Sequence, residues 1–167
     1  MADASSVRKA ATLPKTSTNV PTIAASSIRY SGDELQVATP TQWVPLGRVV
    51  LTAALPVSAD GVDQYLFLAD RAYQIVSVQE IHTTAGGSGA QVAVNKLTAN
   101  AVAPSAGTNM LTAVVDLTTT VNTVQAGTLS ATTANTKLAA GDRIALDFSG
   151  TITPLAGGIL QIILKSI

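Results

Sequence analysis

The sequence predicts an all-β protein, an antiparallel β-sandwich of about eight to nine strands preceded by an extended N-terminal arm. Three observations predict it. Apolar and polar residues alternate in short runs, the period of a strand with one buried face. Gly, Pro, Asp and Asn punctuate those runs as turn signals. Long stretches are rich in Thr, whose branching at Cβ disfavours helix.

The alternation is clearest near the C-terminus. Ala140-Gly141-Asp142 is a turn signal, because Gly tolerates positive φ and Asp hydrogen-bonds nearby backbone. From Arg143 to Ser149, Ile144, Leu146 and Phe148 fall on one face, with Arg143, Ala145 and Asp147 on the other. Ser149-Gly150 interrupts the run, and Pro154 with Gly157-Gly158 leads into a last strand, so the two strands read as a closing hairpin. From Ile159 to Leu164 both faces are largely apolar. Leu160, Ile162 and Leu164 suit the core beside Ile144, Leu146 and Phe148, which leaves Ile159 and Ile163, flanking Gln161, facing away. Strands apolar on both faces usually lie between two layers. In an antiparallel domain of this size the second layer can be another subunit, so Ile159, Gln161 and Ile163 form the expected subunit interface.

Composition supports an assembly. The chain has 167 residues, the size of one domain with an appendage; 47% are hydrophobic and only 12% charged, about half the usual fraction. Acid–base or metal chemistry needs clustered ionisable groups, and few are on hand. With a formal net charge of zero, a surface of Thr, Ser, Ala, Asn and Gln would invite self-association in a monomer. An obligate assembly would not face that problem. The chain has no Cys, which excludes disulfides and thiolate zinc sites. The first fifteen residues lack the apolar core of a secretory signal, and no run is long enough for a membrane-spanning helix. The expectation is a product made and kept in the cytosol, or assembled there into something larger, without membrane contact.

In chain order, residues 1–31 read as a basic arm, extended or disordered. Arg8, Lys9, Lys15 and Arg29 stand against Asp3, and no period persists. Such a segment cannot bury enough apolar surface to fold alone. It is either a loose tail or an arm lying along neighbouring subunits, and those four basic residues are its expected contacts. Their spacing lacks the density and aromatic interleaving of a nucleic-acid site, so no nucleic acid is expected. Residues 32–47 form a transition, with a short strand near Glu34–Val37 and with Pro40 and Pro45 bracketing Trp43. Trp43 is expected to plug one end of the core, the alternative being an exposed contact anchor.

The sandwich is expected over residues 48–167. RVVLTAAL (Arg48–Leu55) and QYLFLAD (Gln64–Asp70) are candidate strands. In RAYQIVSVQEIHTT (Arg71–Thr84) the apolar side changes near Ser77, as a β-bulge or a strand covered on both faces would give. Gly86-Gly87-Ser88-Gly89 reads as a hairpin loop into AQVAVNKL (Ala90–Leu97). MLTAVVDL (Met110–Leu117) places Leu111, Ala113, Val115 and Leu117 on one face, and the Thr-rich runs 118–124 and 127–133 are expected to avoid helix.

Catalytic, metal and cofactor sites are not expected. His82 is the sole histidine, and Glu80, two residues before it on the same strand face, reads as no more than a surface contact. Asp60-Gly61-Val62-Asp63 lacks the later oxygen ligands of an EF-hand loop and is a turn. The Gly86–Gly89 run lacks the Gly-Lys-Ser/Thr ending of a phosphate cradle. No Gly-x-Ser-x-Gly elbow is present, and the carboxylates are scattered. For sugar binding, Trp43, Tyr30, Tyr65 and Tyr73 are a thin aromatic supply, with the last two inside apparent core strands.

The block from Tyr65 to Lys165, above all VNKLTAN (Val94–Asn100) and NMLTAVVDLTTTVNTVQAGTLSATTANTKLAAGDRIALDFSGTITPLAGGILQIILK (Asn109–Lys165), resembles β-rich structural proteins of tailed-bacteriophage virions. Decoration, cement and head-fibre proteins are similar in combining a polar or basic arm, a small jelly-roll-like sandwich and trimeric assembly on the capsid. The resemblance therefore implies a homotrimer on the capsid surface, with the major capsid protein as partner and no catalytic residues to carry over. An adhesion or carbohydrate-binding module of a virion fibre is the alternative.

Overall fold

In the computed structural model, the residues described are 28–31, 34–38, 43–55, 63–100 and 102–167. The chain divides into two compact units, Met1–Arg48 and Val49–Ile167. The first holds an antiparallel three-stranded sheet of β1 (Ile28–Ser31), β2 (Glu34–Ala38) and β3 (Trp43–Pro45), in that order. Pro45 ends β3, an edge strand, where a missing N–H is tolerated.

The second unit is all-β and built from two antiparallel sheets sharing one core. Its longer strands are β4 (Arg48–Leu55, whose first residue closes the first unit), β5 (Gln64–Leu68), β6 (Tyr73–Ile81), β7 (Gln91–Leu97), β12 (Arg143–Ser149) and β13 (Gly158–Ser166). Four short ones are β8 (Thr108–Asn109), β9 (Val115–Asp116), β10 (Gln125–Gly127) and β11 (Lys137–Leu138). One sheet has the order β10-β6-β13-β4, with β11 also on β6; the other has β5-β12-β7-β8, with β9 also on β7. The chain changes sheet at each step from β4 to β7 and again from β11 through β12 to β13.

That alternation corrects two sequence expectations. β12 and β13 do not form a hairpin: β12 pairs with β5 and β7, whereas β13 pairs with β6 and neighbours β4. Nor do β6 and β7 pair across the Gly86–Gly89 loop. Alternation fixes which side chains turn inward but is silent on the partner strand. Both loops are longer than a tight hairpin turn and cross from sheet to sheet. They bond to each other instead: Gly87 N–H donates to Thr151 O at 2.7 Å, and Thr84 pairs with Ala156. Gly150, at φ 77°, lies so close to the Gly89 carbonyl that a Cβ there would collide with it.

Inward faces follow the alternation. Ile144, Leu146 and Phe148 from one sheet meet Leu160, Ile162 and Leu164 from the other, all buried. Gly141 takes φ 89°, and Asp142 Oδ2 accepts the Ala139 N–H at 2.8 Å, completing the expected turn. β6 carries the expected irregularity: Ile163 stands opposite Ser77 but Leu164 opposite Ile75, so Val76 is the extra residue of a bulge. The bulge resets the parity, turning Tyr73 and Ile75 inward before it and Val78, Glu80 and His82 inward after it.

Between residues 108 and 138 the expected long strands are absent. Leu111, Val115 and Leu117 are buried as predicted, but Ala113 is exposed and the strands made are the short β8, β9, β10 and β11, with an isolated bridge from Leu111 to Leu129. Residues 118–124 are turns, and Thr133–Thr136 form a one-turn helix, α1, despite the Thr content. Tertiary contacts override propensity here. The Lys96 ammonium bonds the carbonyls of Ala134 and Lys137, and the Thr136 hydroxyl bonds Thr133 O at 3.0 Å.

Candidate functional site

The outward side of the β6–β13 sheet is set by strand parity. Ile159, Gln161 and Ile163 of β13 stand opposite Ile81, Gln79 and Ser77 of β6 in register. Val124, just before β10, extends the row beside Ile81 and Ile159. Ile159 is 43% exposed and Val124 58%; Gln161 and Ile163 are half-buried. Lys165 at the far end of β13 and Lys137 of β11 both stand opposite Gln74, so the charges on the described part of this face gather at its end. A shallow hollow of about 100 Å³ lies among Gln79, Ile81, Val124, Ile159 and Gln161. Chemically the face offers branched apolar side chains and two adjacent primary amides, which suit burial against a like surface rather than bond making or breaking.

The other sheet's outward side is different. Asn95, Leu97 and Ala145 face outward yet are buried. The 3₁₀ turn Pro104–Ala106 and Gly107 lie over them: Asn95 Nδ2 donates to Pro104 O at 2.9 Å, and a Cβ on Gly107 would press on Asn95 and Leu97. Asp147 sits beside Asp63, and burial together with that neighbouring carboxylate raises its pKa, while Asn95 works against the shift. Asp63 Oδ1 in turn accepts the Phe148 N–H at 3.0 Å. The rest of the expected Asp60–Asp63 turn lies outside the described residues.

Two expectations need correction. Tyr65 is not in the core: it is 54% exposed on β5, its hydroxyl donating to Val102 O at 2.8 Å and the Arg143 guanidinium 5.4 Å from its ring centre. Tyr73 is buried as expected. Glu80 and His82 are no surface pair, being 1% and 0% exposed. Glu80 Oε1 is 2.8 Å from His82 Nδ1, Gln125 Nε2 donates to Glu80 Oε2 at 3.0 Å, and His82 Nε2 is 3.2 Å from Thr119 O. Burial raises the Glu80 pKa, and the hydrogen bond and charge of His82 oppose the rise. The signal was in the sequence: once the bulge near Ser77 is placed, Val78, Glu80 and His82 must share a side.

Of the other residues singled out, Arg29 lies in β1 opposite Gln36, and Trp43 lies in β3 opposite Ala38. The roles expected of the Arg29 and Trp43 side chains, and of Arg8, Lys9 and Lys15, fall outside what is described. Among the described residues, no three His, Asp or Glu side chains gather as metal ligands, and no helix is long and apolar enough to cross a membrane. Comparison of the chain with protein-family models, with curated proteins and with solved structures gave no match.

Proposed function

We propose that the chain is a non-enzymatic structural protein of a phage virion. In this reading it is a capsid decoration or cement protein whose jelly-roll-like sandwich trimerises and whose N-terminal arm ties capsid subunits together. The observation that carries the self-association is the nearly uncharged outward face of Ile81, Val124, Ile159 and Ile163, with the amides of Gln79 and Gln161 between them. Apolar surface contributes about 25 cal/mol per Å² when buried, and like faces meeting around an axis would bury it and pair the amides. The low charge of the chain favours the same outcome. The major capsid protein is the second partner, reached by Arg8, Lys9, Lys15 and Arg29. Three linked arms would turn weak contacts into firm ones through effective concentration.

Size-exclusion chromatography with light scattering tests the first step. Wild type is expected to run as a trimer and Ile163→Asp as a smaller species or aggregate; an unchanged trimer would overturn this interface. Removing residues 1–27, which leaves β1 intact, is expected to keep the trimer but abolish association with capsids. Undiminished capsid binding would remove the arm from the account.

The exposed ring of Tyr65 favours one second reading, an adhesion or carbohydrate-binding module of a virion fibre, since an open aromatic face stacks on a sugar. Specific glycan-array binding lost in Tyr65→Ala or Trp43→Ala would promote it over the capsid reading.

A further inference from the structure

The buried Glu80–His82 pair is arranged so that its hydrogen bonds count protons. His82 Nε2 faces the carbonyl of Thr119 at 3.2 Å. A carbonyl only accepts, so Nε2 carries a hydrogen. A neutral ring has one such hydrogen, which leaves a bare lone pair on Nδ1. Nδ1 nevertheless lies 2.8 Å from Glu80 Oε1. That contact holds only with one further proton between the two atoms. The proton belongs to the pair, as imidazolium with carboxylate or imidazole with carboxylic acid, and the pair is neutral either way. Neutrality is what full burial demands.

The side-chain hydrogen bonds that this pair makes beyond itself go to one segment, which also bonds the His82 backbone. Thr119 O meets Nε2, Gln125 Nε2 meets the second carboxylate oxygen, and Asn122 N–H donates to the His82 carbonyl at 2.7 Å. Asn122 is held at φ 57°, a conformation in which Asn is among the better tolerated non-Gly residues. We propose that Glu80 and His82 form a one-proton latch that fastens residues 118–125 to the end of the sheet and releases them when the proton is lost at alkaline pH. The inference stands whatever meets the outward face, although Val124 rides on the latched segment.

Among the described residues, the surroundings supply no compensation for the lost proton. β10 presents the neutral Gln125, β13 on the other side of β6 presents Leu160 opposite Glu80, and Gly158 leaves room between Leu55 of β4 and the His82 Cβ that a side chain would fill. From β9, Asp116 is the charged group that senses His82, and its carboxylate is already bound by the Thr118 N–H and hydroxyl. Deprotonation therefore sets the Glu80 carboxylate against a ring lone pair, with a second negative charge nearby. Adding a second proton is unfavourable too, because Oε1 and Nδ1 then both present hydrogens.

The sign of the pH dependence follows. In the unfolded chain Glu and His take ordinary values of about 4.3 and 6.5. Between these the folded and unfolded pairs each hold one proton, and the pair contributes no slope. Above about 6.5 the unfolded chain holds none while the folded pair keeps one, so stability falls as pH rises, toward tenfold in the folding constant per pH unit. Glu80→Gln rewrites this. The new amide donates to Nδ1 and accepts from Gln125, so every bond is made around a neutral ring with no shared proton. Its stability should rise with pH up to about 6.5 and then level off.

Urea unfolding of the full chain, wild type and Glu80→Gln, from pH 5 to 8.5 at one protein concentration tests the latch. The ratio of the two folding constants is expected to fall by about tenfold per pH unit on both sides of 6.5, since groups common to both chains cancel. A ratio independent of pH would overturn the proposal. A second measurement needs no variant. His82 is the only histidine, so nitrogen-15 spectra of wild type show a single ring. Hydrogen on Nε2 throughout, with the Asn122 amide exchanging faster once the shared proton is lost, supports the latch; hydrogen on Nδ1 with a bare Nε2 refutes it.

Discussion

On the β12 sheet the outward row of Asn95, Leu97 and Ala145 is buried beneath the turn at Pro104–Ala106. On the β6 sheet the outward row of Ile81, Ile159 and Ile163 has no such cover among the described residues. The inward rows of the two sheets are equivalent in burial, so the difference lies wholly on their backs. One back is finished by the chain itself, with its carboxylates, amide and Arg143 engaged locally. Arg143 bonds the Ala99 carbonyl and stands over Tyr65. The other back carries apolar side chains that stay partly exposed among the described residues. Among those residues, apolar surface is thus buried by the chain's own turn on one side and stays partly exposed on the other.

Breaking the equivalence of the inward rows should produce the largest effect. Leu146→Ala on one sheet and Leu160→Ala on the other remove fully buried side chains, and each is expected to cost about 2–5 kcal/mol in urea or thermal unfolding. A loss much smaller on one side would mean the two sheets do not share one core.

The cover over the β12 sheet comes next. Asn95→Ala strands the Pro104 carbonyl and withdraws a bond from Asp147, for an expected loss of about 1–3 kcal/mol. Faster amide exchange at Ala106 and Gly107 should accompany it. If exchange there is unchanged, the turn is held by something other than Asn95.

Ile159→Ser on the uncovered back should change the stability of the isolated fold by no more than about 0.5 kcal/mol while weakening self-association. A large loss of monomer stability would show that this residue serves its own chain.

The smallest effect is expected at Asp147. Its carboxyl is held above the ordinary value of 3.8, by burial and then by Asp63. A raised carboxyl means the folded state binds a proton the unfolded state has lost, so this group's contribution falls as pH rises from about 3.8 through its folded value. Asp147→Asn removes that penalty. Because the group is partly solvated, the gain at pH 7 is expected to be about 0.5 kcal/mol, vanishing near pH 3, by denaturation at the two pH values.

Legibility in the sequence followed the physics of each region. The inward sets of β12 and β13, the turn at Gly141-Asp142 and the bulge near Ser77 all depend on local parity and local turn chemistry, and all were readable. Tyr65 was misplaced because β5 is an edge strand, and edges expose residues that a central strand would bury. The Thr-rich stretch from 118 to 132 avoids helix as read, but the shape of its turns is held by distant groups that no local pattern shows: His82 and Glu80 on one flank, Lys96 on the other.

What the sequence determined alone was which side chains of each strand face inward, because successive residues on a pleated chain must point opposite ways. Which strands became neighbours was decided only in the folded chain. A strand's exposed N–H and C=O groups accept any partner of suitable register, and the crossing loops, bonded to each other, settle the choice. The same holds for Glu80 and His82: parity turned them inward, but only the closing of residues 118–125 over them made that burial tolerable.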